Sequence, residues 1–170
     1  MTTQHASGVV ARPSWHEVRL EMARAVARRS LCVRDQVGAV IVDRDNKVIG
    51  EGHNGPPRGF FHGQRPCTDW CQRGRGDRDI LERDYSDCPA LHSEANCLMM
   101  SDRSLCSGGT IYVTSHVCFN CAKLVANSGL KYVYVETAEE NAHRRSDASY
   151  NFLVSCGLYV TINSERWEKK

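Results

Sequence analysis

The chain has 170 residues, 41% hydrophobic and 25% charged, and its 22 Lys and Arg nearly balance 20 Asp and Glu, for a formal net charge of +2. That is enough chain for a sizeable core, and the charge balance argues against a nucleic-acid-binding surface. No apolar run is long enough to span a membrane and no secretory signal core opens the sequence; the nine cysteines therefore read as metal ligands and buried thiols in a reducing cytoplasm, not as a disulfide framework.

Met1–Pro13 is polar and irregular and reads as a flexible tail, leaving 14–170 as one domain. Ser14-Trp15-His16-Glu17 is a capping box. It opens a helix to about Arg29 that places Val18, Met22, Ala25 and Val26 on one face. Val37–Val42 and Lys47–Gly52 are strand-like and joined by the turn-forming Asp43-Arg44-Asp45-Asn46, which predicts a hairpin. Gly55–Pro89 is a long insertion rich in Gly, Pro, Arg and Asp; such a segment inside a compact domain is functional or tied down. A helix is expected over His92–Met100, a strand over Thr110–Thr114, a helix over Cys118–Asn127 and a strand over Tyr132–Glu136. Asp147–Cys156 reads as a further helix and Leu158–Ile162 as a last strand. Strands interleaved with helices in this way predict a three-layer α/β/α sandwich with a five-stranded mixed sheet. There is no internal repeat.

The chemistry concentrates in His92-Ser93-Glu94 and Cys118-Phe119-Asn120-Cys121. A structural zinc is closed by four protein ligands, whereas a catalytic zinc keeps one position open for water. His92, Cys118 and Cys121 supply three ligands, and Glu94 falls beside the open position as a proton carrier. In the first turn of a helix the sulfurs of Cys118 and Cys121 share one side, and the positive helix N-terminus favours thiolate. Zinc acidifies a bound water from about 15.7 to roughly 7, so one carboxylate suffices for the general acid–base work. The order H-x-E…C-x-x-C, with a strand between two helices, is that of zinc-dependent deaminases that attack the amine-bearing carbon of a nucleobase. The competing reading is a closed zinc knot with another cysteine as fourth ligand and Glu94 idle.

Beyond these motifs, Cys32…Val37-Gly38-Ala39-Val40-Ile41-Val42…Gly52-His53-Asn54-Gly55-Pro56-Pro57-Arg58-Gly59…His92-Ser93-Glu94-Ala95-Asn96…Cys118-Phe119-Asn120-Cys121-Ala122-Lys123-Leu124 closely resembles the deoxycytidylate (dCMP) deaminase family, over about Ser14 to Thr161. The zinc motif is shared across the cytidine deaminase-like superfamily; the Gly-x-Asn-Gly segment and the cysteine-bearing insertion narrow it to this branch. The resemblance implies conversion of dCMP and water to dUMP and ammonia, supplying dUMP for thymidylate synthesis. It implies a homo-oligomer (hexamer or dimer), and in some members activation by dCTP and inhibition by dTTP, with Gly52–Gly59 as the implied effector region. It makes His92, Cys118 and Cys121 the zinc ligands, Glu94 the proton shuttle and Asn54 a sugar contact, although Asn-Gly is also a plain turn signal. Ser93 stands where alanine is usual, Val117 where proline is usual, and Cys97 where a larger aliphatic is common. These departures keep a modified cytosine nucleotide or a nucleoside open as substrate.

Some members of the resembled family hold a second, structural zinc, for which Cys32, Cys67, Cys71 and Cys88 are the candidates here. A metal there would order the insertion, because its binding free energy is folding free energy. Cys67-x-x-x-Cys71 has ligand-like spacing; His62 is a spare candidate, and free thiols are the competing reading. Cys97, Cys106 and Cys156 are expected in or near the core. Arg58, with Arg65 behind it, is the candidate phosphate contact, since guanidinium matches phosphate oxygens bidentately; a solvated loop charge is the plainer alternative. Tyr132 and Tyr134 share one face of a strand expected to border the site and could meet base or phosphate, with core packing as the default. Two other classes remain: a nucleic-acid editing deaminase, which needs a basic groove and aromatic contacts, and a non-catalytic zinc module, which has no use for Glu94.

Overall fold

Ser14 caps the first helix, α1 (Trp15–Ala27), as its sequence demands: the Glu17 N–H donates to Ser14 Oγ at 3.2 Å, and the Ser14 N–H donates to Glu17 Oε2 at 2.6 Å. In the computed structural model, which describes residues 11–60, 65–77, 87–138 and 147–168, the buried stripe of α1 is Ala23 and Ala27, flanked by Leu20, Met22 and Val26. Ala25, expected inside, is exposed. Most of the expected tail and the candidate ligand His62 lie outside the described residues.

The strands are β1 (Gly38–Val42), β2 (Val48–His53), β3 (Thr110–Val113), β4 (Tyr132–Val135), β5 (Tyr159–Ile162) and β6 (Glu165–Arg166). They form one mixed sheet in the order β2-β1-β3-β4-β5-β6. The sheet therefore has six strands where five were expected. The added β6 is a two-residue exposed strand, antiparallel to β5 through Thr161↔Arg166 and Ile162↔Glu165. β1 and β2 make the expected hairpin, β1 pairs antiparallel with β3, and β3, β4 and β5 run parallel. The parallel pairs need crossover connections. These contain α4 (Phe119–Asn127) and α5 (Asp147–Ser155), which follow α2 (Gln72–Arg75) and α3 (Ser93–Met100) in the chain.

Strand periodicity divides the core into two layers. Ala39, Ile41, Ile111, Val113, Val133, Val135 and Val160 face a large cluster that includes Cys97 of α3, Cys121, Ala122 and Val125 of α4, and Tyr150 and Leu153 of α5. Val40, Val42 and Tyr112 face the other way, onto Ala23 of α1. All of β1 is buried because it is covered on both faces. Cys97 and Cys106 are core thiols as expected, whereas Cys156 is exposed.

α3 lies across β2 and β1, and it can do so only because β2 carries glycine. A Cβ at Gly52 would stand 2.6 Å from the Ser93 carbonyl oxygen and 2.4 Å from the Cys97 amide nitrogen. The insertion leaves and rejoins this scaffold at one place. The Gly55 N–H donates to Leu91 O at 3.1 Å, and the Leu91 N–H donates to Gly55 O at 2.8 Å. Within the insertion a short 3₁₀ turn, Cys67–Asp69, precedes α2, and the buried Arg73 guanidinium pairs with Asp87 at 3.9 Å.

Candidate metal centre and active site

Two helix starts converge on one point. His92 is the N-cap residue of α3 and Cys118 that of α4. Cys121 lies in the first turn of α4, and its backbone N–H donates to Cys118 Sγ at 3.4 Å. Ligand atoms of His92, Cys118 and Cys121 all lie within 4.8 Å of one another, the one such group of three among the described residues. His92 Nδ1 is 3.4 Å from Cys118 Sγ and 3.5 Å from Cys121 Sγ. Zinc bonds of about 2.3 Å to sulfur and about 2.05 Å to nitrogen, at a tetrahedral angle, would put those atoms about 3.6 Å apart. The donor set and its spacing therefore fit zinc, with a fourth position left for a non-protein ligand.

The electrostatics point the same way. The Cys118 sulfur accepts from the Cys121 thiol and from His92, which pulls Cys118 well below the usual thiol range; the same shared hydrogen bond holds Cys121 up. Two positive helix ends add to the preference for negative charge here. Glu94 is 3% exposed. Burial pushes its carboxyl above the usual carboxylate range, against the pull of His92 and of the Ser93 hydroxyl. Ser93 is fully buried and donates through Oγ to Glu94 Oε2 at 3.0 Å. This contact was not anticipated from the sequence, although a hydroxyl one residue from the proton carrier was the available signal.

Asn54 flanks the cluster, because its neighbour Gly55 pairs with Leu91, next to His92. Its amide already holds the chain: Oδ1 accepts from the Val37 N–H and Nδ2 donates to Asp35 O, both at 2.9 Å. Each end of the amide keeps one further hydrogen-bonding position. The loop that delivers Cys118 is braced by His116, whose Nδ1 meets the buried Tyr150 hydroxyl at 2.6 Å, and by Ser115, whose Oγ donates to Asp35 Oδ2 at 3.4 Å. Arg58 is exposed on the loop leaving Gly55, and Arg65 holds the Trp70 indole N–H through its carbonyl oxygen.

Tyr132 and Tyr134 do not join the site. Both project to the α1 side of the sheet, away from α3 and α4: Tyr134 stacks on His16 and Tyr112, and Tyr132 stacks on Tyr159. They share one face of the strand as expected, and it is the face opposite the His–Cys–Cys donors. The other four candidate cysteines approach one another, Cys67 beside Cys32 and Cys71, and Cys88 beside Cys71 and Cys32. They do not gather as closely as the first three donors. Burial pushes the Cys88 thiol up to about 11, and the Val33 N–H donates to Cys67 Sγ at 3.3 Å.

A helix-flanked mixed sheet that presents a His–Cys–Cys donor set beside a buried glutamate is the architecture of zinc-binding hydrolytic deaminases. Residues 13–137 match the family described as "Cytidine and deoxycytidylate deaminase zinc-binding region", and the chain belongs to that family. It is 41% identical over 128 residues to a deoxycytidylate deaminase of Mycobacterium phage D29, covering 73% of this chain and 95% of the relative. It is 31% identical to the deoxycytidylate deaminase of Saccharomyces cerevisiae over 88% of this chain, but spans only 45% of that relative. The fold is shared with the dCMP deaminase of cyanophage S-TIM5 solved with dCMP and dUMP, at a TM-score of 0.64 and 23% identity, covering 90% of this chain and 99% of that one.

Proposed function

We propose that the chain deaminates dCMP with water, giving dUMP and ammonia, and so supplies dUMP for thymidylate synthesis. The observation that carries this reading is the buried Glu94 carboxyl set against a donor triad of zinc-binding dimensions, in a chain with deoxycytidylate deaminases among its relatives. His92 Nδ1, Cys118 Sγ and Cys121 Sγ would hold the ion. Zinc, when bound, supplies Lewis-acid activation of water. Glu94 takes the proton released by the attacking water and delivers it to the pyrimidine ring nitrogen; it then takes the proton of the hydroxyl newly added to the ring carbon and passes it to the departing amine, which leaves as ammonia while that hydroxyl becomes the carbonyl. Burial raises the proton affinity of this carboxyl above that of an ordinary carboxylate, which helps it take a proton as well as return one. Asn54 would place the sugar with the hydrogen-bonding capacity its backbone contacts leave over.

Arg58 is the proposed phosphate contact. The test is ammonia release from dCMP, CMP, deoxycytidine, dCTP, 5-methyl-dCMP and 5-hydroxymethyl-dCMP, with and without added dCTP. Preference for dCMP is expected, and Arg58→Ala should weaken dCMP turnover about tenfold or more while sparing deoxycytidine, about 1.4 kcal/mol of transition-state binding. Equal losses on both substrates would remove Arg58 from the phosphate site. Preference for a modified or unphosphorylated cytosine would replace the substrate assignment and keep the chemistry.

The same reading takes 14–170 as one deaminase domain with an insertion at 55–89, working in the cytoplasm as a homo-oligomer, with dCTP and dTTP as effectors. It also assigns Cys32, Cys67, Cys71 and Cys88 to a second, structural zinc that ties the insertion to the end of α1. Four thiolates would close such a site without a water position. Metal analysis of the purified chain should return two zinc ions per copy; a Cys67→Ser, Cys71→Ser variant should return one and keep the first centre. One ion per unmodified chain would remove the second site.

A further inference from the structure

We infer that Ser93 is a positioning residue for Glu94: its hydroxyl fixes the carboxylate that moves the proton, a role that rests on the deaminase reading of this site. Three observations meet here. Ser93 is fully buried, so no water competes for its hydroxyl. Its Oγ lies 3.0 Å from Glu94 Oε2. Its backbone is held from behind, because the Ser93 carbonyl lies close against Gly52 of β2 and leaves no room even for a Cβ there.

The geometry is restrictive. Consecutive residues of a helix do not ordinarily face one another; here the contact lies at the start of α3, in a first turn packed onto the sheet. Glu94 reaches back over that turn to the His–Cys–Cys donors, with His92 and both thiols acting on its carboxyl. The terminal torsion of a glutamate is intrinsically broad and nearly two-fold, and the Ser93 hydroxyl adds a fixed donor to the contacts that Cys121 and the Glu94 backbone make with this carboxyl. The Ser93 O–H takes one lone pair of Oε2 and so holds the carboxylate by one of its two oxygens. A carboxylate that serves first as base and then as acid gains from being held in one orientation through both steps, because misplacement of a reacting group by even 1 Å costs rate steeply. Alanine at this position would fill nearly the same volume and offer no donor. Ser93 therefore acts on rate through Glu94, without touching the substrate.

The experiment compares the zinc-loaded parent with Ser93→Ala and Ser93→Thr, measuring kcat and KM on whichever cytosine substrate the parent prefers, with zinc content and Tm alongside. Ser93→Ala is expected to lower kcat about tenfold, equivalent to about 1.4 kcal/mol. KM should stay within twofold, with zinc and Tm retained. Ser93→Thr keeps the hydroxyl and should keep kcat within about threefold of the parent, even where its added methyl lowers Tm. The inference is overturned if Ser93→Ala turns over at the parental rate, if its loss tracks missing zinc, or if Ser93→Thr is as slow as Ser93→Ala. A parent that prefers another cytosine compound would revise the substrate assignment alone; a parent with no deaminase activity at all would instead overturn the reading on which the inference rests.

Discussion

Glu94→Gln is expected to cost between about 10² and 10⁴ in kcat, toward the upper end because one carboxylate serves every proton transfer in the proposed reaction. The amide has the shape of the carboxylate, and its oxygen can still accept the Ser93 hydroxyl bond now seen at 3.0 Å. Zinc content should be parental, since His92, Cys118 and Cys121 are untouched. Stability should not fall either. Burial already disfavours the charge on Glu94, so a neutral side chain of equal size removes an unfavourable interaction while it removes the chemistry. The comparison needs steady-state ammonia release, zinc analysis and a melting curve on both proteins. Turnover within tenfold of the parent would mean that another group carries the proton.

Gly52→Ala should be the most damaging small substitution in the scaffold. The added methyl would meet Cys97 N at 2.4 Å, Ser93 O at 2.6 Å and Cys97 Cα at 2.8 Å. Every one of these atoms is backbone, so no rotamer change relieves the clash, and α3 must lift from β2. The expected loss is about 3 kcal/mol, at the upper end for overpacking, or a fall in Tm of roughly 6–12 °C for a chain of this size. His92 is the N-cap of that helix, so zinc affinity should fall with it. Gly50→Ala on the same strand is the control. Its closest obstacle is the Ser101 hydroxyl, with Cys97 O at 3.0 Å, and a hydroxyl can rotate away. Equal melting temperatures for the two variants would mean that α3 is not held against Gly52 in solution.

What could be read from the sequence divides along the range of the interaction. The capping box of α1, the β1–β2 hairpin and the His and Cys positions at two helix starts are local, and each appears within a residue or two of where pattern and propensity put it. β6 could not be read because Glu165 and Arg166 carry no apolar alternation and become a strand only by pairing with β5. On α1 the expected Met22 and Val26 do pack against the core, but the buried stripe runs through Ala23 and Ala27, whose small side chains let the helix sit close to the sheet, and Ala25 faces out. Tyr132 and Tyr134 show the same limit. Alternation revealed that they share a face, but only the tertiary arrangement decides whether α1 or α3 and α4 cover it. The double role of the Asn54 amide was hidden for a related reason, since its partners are backbone groups of Asp35 and Val37, across the hairpin.

The paired hydrogen bonds between Gly55 and Leu91 have an evolutionary consequence. They act as a clasp that brings the two ends of the insertion together immediately before His92, so the chain between them can lengthen, shorten or be exchanged without dragging α3. The entropic cost of a longer loop grows only logarithmically, about 0.6 kcal/mol per doubling. Descendants of this chain can therefore exchange whole segments between Gly55 and Leu91 while the reacting groups stay where they are, so that variation in the insertion is separable from the centre itself.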